Sequence, residues 1–95
     1  MMNRQQKPMS IDNAARKTGL TPQTIHRCVQ VGLVSDPLTG DDLANLRRVR
    51  RLTELEVNMA GVEIIIRMRH RILALQAELA HWRQLRIERK LDDRA

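Results

Sequence analysis

The chain is nearly without aromatic residues. Phe and Tyr are absent, and Trp82 is the only aromatic ring besides histidine in 95 residues. A core built without rings must come from Leu, Ile, Val, Met and Ala, a mix that favours helices over sheets. One cysteine, Cys28, excludes an internal disulfide framework and fits a reducing compartment. No apolar stretch reaches the ~18 residues of a membrane-crossing helix. The opening MMNRQQKPM has charge but no apolar h-region, so no signal peptide is expected, and the expected location is the cytoplasm. There is no Gly-rich phosphate loop, no paired metal-ligand motif and no nucleophile–base constellation. No catalytic residue, metal site, cofactor or small-molecule ligand is therefore expected. His26, His70 and His81 are far apart in sequence, and about 16 Å of helical rise would separate the last two.

What the chain does have is positive charge. Its formal net charge is +6, with 17 Lys and Arg against 11 Asp and Glu, and its isoelectric point is about 11.0. Such a surface attracts polyanions through counterion release. A cationic protein with no nucleic-acid role is the plainer alternative, but here the charge lies on helices that can present it. The length suits one domain and hardly two.

The pattern gives four helices. Residues 1–9 read as a flexible N-terminus. The first helix spans about Ile11 to Thr18, with Ser10 as N-cap, Asp12 in the first turn and Gly19 placed to end it in a left-handed conformation. Ile11, Ala14, Ala15 and Thr18 share its apolar face, and Arg16 and Lys17 point away. The second helix spans about Pro22 to Val31, capped by Thr21, with Pro22 where a missing N–H costs little. Ile25, Cys28, Val29 and Gly32 make its expected buried face, so Cys28 reads as a core thiol. A redox sensor would need an exposed, low-pKa thiolate. Gln23, His26, Arg27 and Gln30 lie opposite, and only Leu20 and Thr21 separate the two helices beyond Gly19. This is helix-turn-helix spacing. An outward Gln, His, Arg and Gln row suits base edges, although polar outer faces are the rule on any helix.

Leu33 to Leu38 reads as a loop. The third helix follows Thr39, with Asp41 and Asp42 in its first turn, and runs to about Leu55. Leu43, Leu46, Val49 and Leu52 form its buried arc. Arg47 and Arg51 lie opposite, flanked by Arg48 and Arg50, in a dense patch suited either to phosphates or simply to solvent. A fourth helix starts after Asn58 and extends to about Lys90, roughly 48 Å at 1.5 Å per residue. Ile65, Met68, Ile72, Leu75, Leu79 and Trp82 alternate spacings of three and four, which is a coiled-coil seam. Arg86 and Arg89 occupy the next seam positions and end it, and the tail from Arg83 is expected to fray. Ile64 and Ile66 widen the stripe where this helix should pack on the helix-turn-helix. The seam needs either a second chain or a fold-back onto its own core. The expected organisation is a helix-turn-helix domain at 10–55 and a dimerisation helix at 56–95.

The stretch SIDNAARKTGLTPQTIHRCVQVGLV resembles the opening of the MerR family of bacterial regulators. LTGDDLANLRRVRRLTELEVNMAGVEIIIRMRHRILALQAELA, with VNMAGVEIII entered from a basic RRVRRL helix, is similar to the branch holding heat-shock repressors and chaperone modulators (CbpM-like proteins). The resemblance covers roughly Ser10 to Ala80. It implies an all-α, MerR-like winged helix-turn-helix whose wing is vestigial here, followed by a long helix that pairs antiparallel with its copy. It implies a dimeric transcription regulator binding double-stranded DNA. Arg16, Lys17, Thr21, Gln23, Thr24, His26, Arg27, Arg47, Arg48 and Arg51 are then the candidate DNA contacts, and the six seam residues the candidate dimer interface.

Two departures stand out. Family DNA binders follow the matching Thr-aliphatic pair with Arg, Tyr, Tyr and an acid, whereas His26, Arg27, Cys28 and Val29 stand here. Their wing carries an Arg-Tyr pair, whereas Ser35 to Thr39 have neither residue type. Metal-sensing members place cysteines near the end of the dimer helix, and this chain has none there. Chaperone modulators also have a degenerate wing and act by binding a J-domain co-chaperone, which is the alternative partner. J-domains commonly present a basic helix, so that reading needs an acidic surface, for which Asp36, Asp41, Asp42, Glu54, Glu56 and Glu63 are the candidates.

Overall fold

The computed structural model describes residues 6–94. Its elements are α1 (Ile11–Thr18), α2 (Pro22–Gln30), a 3-10 turn (Gly40–Asp42), α3 (Leu43–Glu54) and α4 (Met59–Arg94). No strand forms among the described residues; Pro8 and Thr39 make one isolated antiparallel bridge. The fold is thus an all-α helix-turn-helix with a loop where a wing would stand, followed by one long helix.

Local chemistry sets the helix ends. The Ser10 hydroxyl accepts from Asn13 N at 3.1 Å, and Gly19, at φ 78°, ends α1 by donating to Ala15 O. The Thr21 hydroxyl accepts from Thr24 N at 3.2 Å, with Pro22 following it at the first helical position. The far end of α2 departs from expectation. The helix stops at Gln30, and Gly32 lies beyond it, exposed, at φ 78° rather than on the buried face. Gly32 N donates to Val29 O (3.2 Å) and Leu33 N to Cys28 O (2.9 Å), the paired bonds of a Schellman end. That reversal carries Leu33 into the core.

The end of α3 repeats this device without glycine. Glu56 N donates to Thr53 O and Val57 N to Leu52 O, both at 3.0 Å, with Glu56 at φ 64°. A residue with a Cβ pays roughly 1–2 kcal/mol for that conformation. Glu56→Gly is expected to raise stability by about 0.5–1 kcal/mol, less than the full strain because glycine also loosens the unfolded chain. Urea unfolding with an unchanged m-value is the check, and a lower midpoint would show that Glu56 is held by something other than tolerated strain.

The core sits where α1 packs on both α2 and α3, and α3 on α4. Ala14, Ile25, Cys28, Leu46 and Val49 are wholly enclosed, and Leu33, Val34 and Leu38 reach in from the loop. Burial raises the Cys28 thiol above its ordinary pKa, outweighing an opposing backbone hydrogen bond. The loop is clasped by Asp42. Its carboxylate accepts from Ser35 N (3.1 Å), Ser35 Oγ (3.2 Å), Thr39 N (2.9 Å) and Thr39 Oγ1 (3.3 Å). Asp42 is therefore buried within the loop's hydrogen bonds rather than presented as a first-turn surface acid. Met9 N donates to Leu38 O at 2.7 Å and ties residues ahead of α1 to the same loop; of the terminus expected to be flexible, residues 1–5 lie outside the described residues.

Helix α4 begins under the Asn58 cap, whose Oδ1 accepts from Gly61 N at 2.8 Å. Val62 and Ile66, one turn apart, are its core contacts. Ile64 is not one of them. It is 59% exposed, because two positions turn a helix by about 200° and point it away from Ile66. Full burial of Val62 and Ile66 contributes about 1.5–3 kcal/mol each to docking α4. Arg67 adds a bond from Nη2 to Val31 O at 2.8 Å, at the end of α2, and pairs with Glu63. Beyond that point the helix stands free: every described side chain from Arg67 to Asp92 is exposed. It continues to Arg94, past the expected end near Lys90, for about 54 Å.

Candidate nucleic-acid interface

Helix α2 presents two opposed faces. Ile25 and Cys28 are fully buried, while Gln23, His26, Arg27 and Gln30 are all exposed. At 100° per residue these four side chains fall within an arc of about 100° on the side away from the core. They span about 10 Å of axis, and a major groove is about 12 Å wide. The row combines amide donors and acceptors, an imidazole and a guanidinium. Thr24 stands at its edge, half-buried, with its hydroxyl 2.9 Å from that of Thr21, so both hydroxyls take part in the cap. The Schellman end and the Arg67 bond fix the other end of the helix. A rigid element carries this row.

The basic residues divide into separate groups. Arg16 and Lys17 are exposed in the last turn of α1. Arg47 and Arg51 are exposed on α3, and Arg48 is half-buried, donating to Asn45 Oδ1 at 3.3 Å. Arg50 leaves the expected patch: Nη1 donates to Thr18 O at 2.8 Å and Nε to Glu54 at 2.8 Å, so it caps the C-terminal end of α1. Arg48 and Arg51 line a groove between α3 and α4 together with Leu52, Met68, Arg69 and Ile72. They are thus grouped with the start of the seam, and α3 packs on α1 and α4. Arg67 and Arg69 carry no sequence signal of their own: each lies one turn from a seam or core position, where a basic residue reads as an ordinary helix flank.

The seam is open. Ile65, Met68, Ile72, Leu75, Leu79 and Trp82 are between 41% and 60% exposed, so no described part of the chain folds back over them.

The family model for MerR HTH family regulatory proteins matches residues 9–69. The chain belongs to the MerR helix-turn-helix family. It is 35% identical over 79 residues to "Putative heat shock protein HspR" of Streptomyces coelicolor (strain ATCC BAA-471 / A3(2) / M145), an alignment covering 74% of this chain and 52% of that protein. The chain thus spans about half the length of the curated relative it matches. No solved structure matches it. The MerR match begins at Met9, whose N–H bonds to the wing-position loop, and ends at Arg69, past the last core contact of α4. It therefore takes in α1 to α3 and the docked start of α4, and most of the free seam lies beyond it. No described helix is long and apolar enough to cross a membrane.

Proposed function

We propose that this MerR-family chain is a DNA-binding transcriptional regulator acting as a homodimer. The observation that carries the proposal is the exposed polar row of α2, mounted on a helix capped at both ends and backed by a closed core. Gln23, Thr24, His26 and Arg27 supply base-edge contacts in the major groove. Arg16, Lys17 and Arg47 contact phosphates, with Thr21 at the N-terminus of α2. Arg48 and Arg51, set in the α3–α4 groove, add to the positive field. The six seam residues, exposed in the single chain, close against a second copy. The resemblance to HspR extends the reading to heat-shock control, in the cytoplasm with the DNA it regulates.

The alternative partner, a J-domain co-chaperone offering a basic helix, calls for an acidic surface. Asp42 is buried in the loop clasp, and Glu54 and Glu63 are paired with Arg50 and Arg67. Three of the six acids that could have formed such a patch are thus engaged, leaving Asp36, Asp41 and Glu56 exposed, and the weakened acidic surface favours DNA.

Binding to duplex DNA across a salt series is the test, beside a pull-down with a J-domain protein. Micromolar or tighter affinity with a steep salt slope is expected. Arg27→Ala should cost about 1–3 kcal/mol on a preferred sequence and relax the choice there, whereas Arg47→Ala should weaken all sequences and flatten the salt slope by about one. Absence of DNA binding at low salt, with the J-domain protein retained, would overturn the proposal in favour of the alternative.

A further inference from the structure

The reader helix α2 and the long helix α4 are two steps apart in the packing. Helix α2 packs on α1, α1 on α3, and α3 on α4. Apolar side chains of α2 and α4 meet in the shared core, where Ile25 and Cys28 belong to one cluster with Val62 and Ile66. Such burial is non-directional, so it holds two elements together more firmly than it fixes the angle between them. A directional bond crosses the same gap. Arg67 Nη2, on α4, donates to Val31 O, just past the end of α2, at 2.8 Å. The same nitrogen lies 2.8 Å from Glu63 Oε1, one turn back on α4. The carboxylate thus aims the guanidinium at the carbonyl. The Schellman bonds at this end take Cys28 O and Val29 O, and Arg67 takes Val31 O beyond them. We infer that Glu63 and Arg67 form a strut that fixes the angle between the DNA-reading helix and the helix that joins two copies, and so sets the half-site spacing the dimer accepts. The inference rests on the DNA-binding and homodimer readings and adds two positioning residues outside both the polar row and the seam.

Leverage makes the angle matter. In a dimeric reader the distance between recognition elements must match the distance between half-sites, about 34 Å for one helical turn. Each recognition helix then stands about 17 Å from the two-fold axis. A swing of about 10° moves it by about 3 Å, close to the roughly 3.4 Å step of one base pair. A small change of angle at Arg67 therefore spoils register on the second half-site while leaving contact with the first intact. The strut is also dispensable for folding. The Arg67 side chain is 60% exposed, and its loss leaves Val62 and Ile66 buried and the Schellman bonds in place. Arg50 is built alike, with Nη1 on Thr18 O and Nε on Glu54. It joins α1 to α3, however, both within the helix-turn-helix, and does not bear on the distance between copies.

The test compares Arg67→Met, which keeps the stem without the donor, with Glu63→Ala, which removes the aiming carboxylate. The two changes move the net charge in opposite directions, so any effect of charge on DNA binding has opposite signs in them. The probes are duplexes carrying one copy, or two inverted copies, of the half-site that the parent chain selects from a random pool. The two copies are set at the selected spacing and at one base pair either side of it. The parent should prefer its selected spacing by about tenfold or more, Arg67→Met should bring that preference to about threefold or less, and Glu63→Ala should move it part of the way. Dimer mass should be unchanged, and affinity for a single half-site should change only by the small, opposite effects of charge. A parent that stays monomeric or binds no duplex would overturn the readings on which the inference rests, and the inference with them. A dimer that binds DNA but ignores spacing, or a spacing preference that Arg67→Met leaves intact, would overturn the inference alone. So would a preference that falls in Arg67→Met and rises in Glu63→Ala, which is the signature of charge. A preference lost together with single half-site affinity would make Arg67 a support of α2 itself and overturn the strut.

Discussion

Leu75→Arg is expected to leave the chain monomeric. Leu75 is 52% exposed in the single chain, so the substitution costs that chain little. In the proposed dimer the same position lies next to the midpoint of the seam, and symmetry would put the new guanidinium there twice. Desolvating an unpaired ion costs several kcal/mol, and a long arginine stem recovers part of that by reaching toward water. A residual penalty of about 2 kcal/mol per copy gives about 4 kcal/mol per dimer, roughly a thousandfold in the dimer dissociation constant. Sedimentation equilibrium reads this directly. An unchanged dimer mass would remove the seam as the interface.

The same substitution should also lower helicity. From Arg67 to Asp92 no described side chain of α4 is buried, so past the Arg67 bond to Val31 and the groove against α3 little among the described residues holds that segment helical. Isolated helices owe little to propensity alone and are marginal in water. The far-UV signal should therefore fall together with the mass, while the core around Ile25, Leu46 and Val49 keeps its cooperative unfolding. If helicity holds while the mass halves, the outer helix is stable on its own and the dimer supplies only valency. DNA binding should fall in parallel on a duplex carrying two half-sites, toward the affinity of one reader, because the second contact is then no longer intramolecular.

The legible features were those written in single residues with one dominant role. Ser10, Gly19, Thr21 and Pro22 each have a strong positional preference, so the bounds of α1 and the start of α2 could be read directly. The seam was legible because its spacing repeats. The illegible features depended on tertiary contact. Gly32 fits an apolar helix face by spacing, but its freedom to adopt positive φ was what the fold required, and Leu33 took the buried place. Glu56 occupies a left-handed position that sequence rules reserve for glycine, because the bonds on either side of it fix the turn. Arg50 looks like one more cation in RRVRR until α1 ends beside it. The polar row of α2 was legible as a face, but whether Arg48 and Arg51 belonged with it was not, since that depends on where α3 packs.

Asp42→Ala should be the most damaging change outside the apolar core. The carboxylate accepts four hydrogen bonds, two from backbone N–H groups of Ser35 and Thr39 and two from their hydroxyls. The hydroxyls can turn to other partners, but the backbone groups cannot follow. Each hydrogen bond to a charged group contributes about 1.5–3 kcal/mol, and an orphaned buried donor costs about 1–3 kcal/mol. With partial access of water to the loop, a net loss of about 3 kcal/mol is expected, a large share of the roughly 5–15 kcal/mol that holds a small domain folded. The loop it clasps brings Leu33, Val34 and Leu38 into the core and receives Met9 from the N-terminal side, so the loss should be cooperative rather than local. Asp42→Asn keeps one carbonyl acceptor in the same place and should cost about half as much. Urea unfolding of the two variants gives the comparison. If Asp42→Ala unfolds within about 0.5 kcal/mol of the parent, the size of an ordinary surface substitution, the loop is held by its three apolar side chains and the carboxylate is incidental to it.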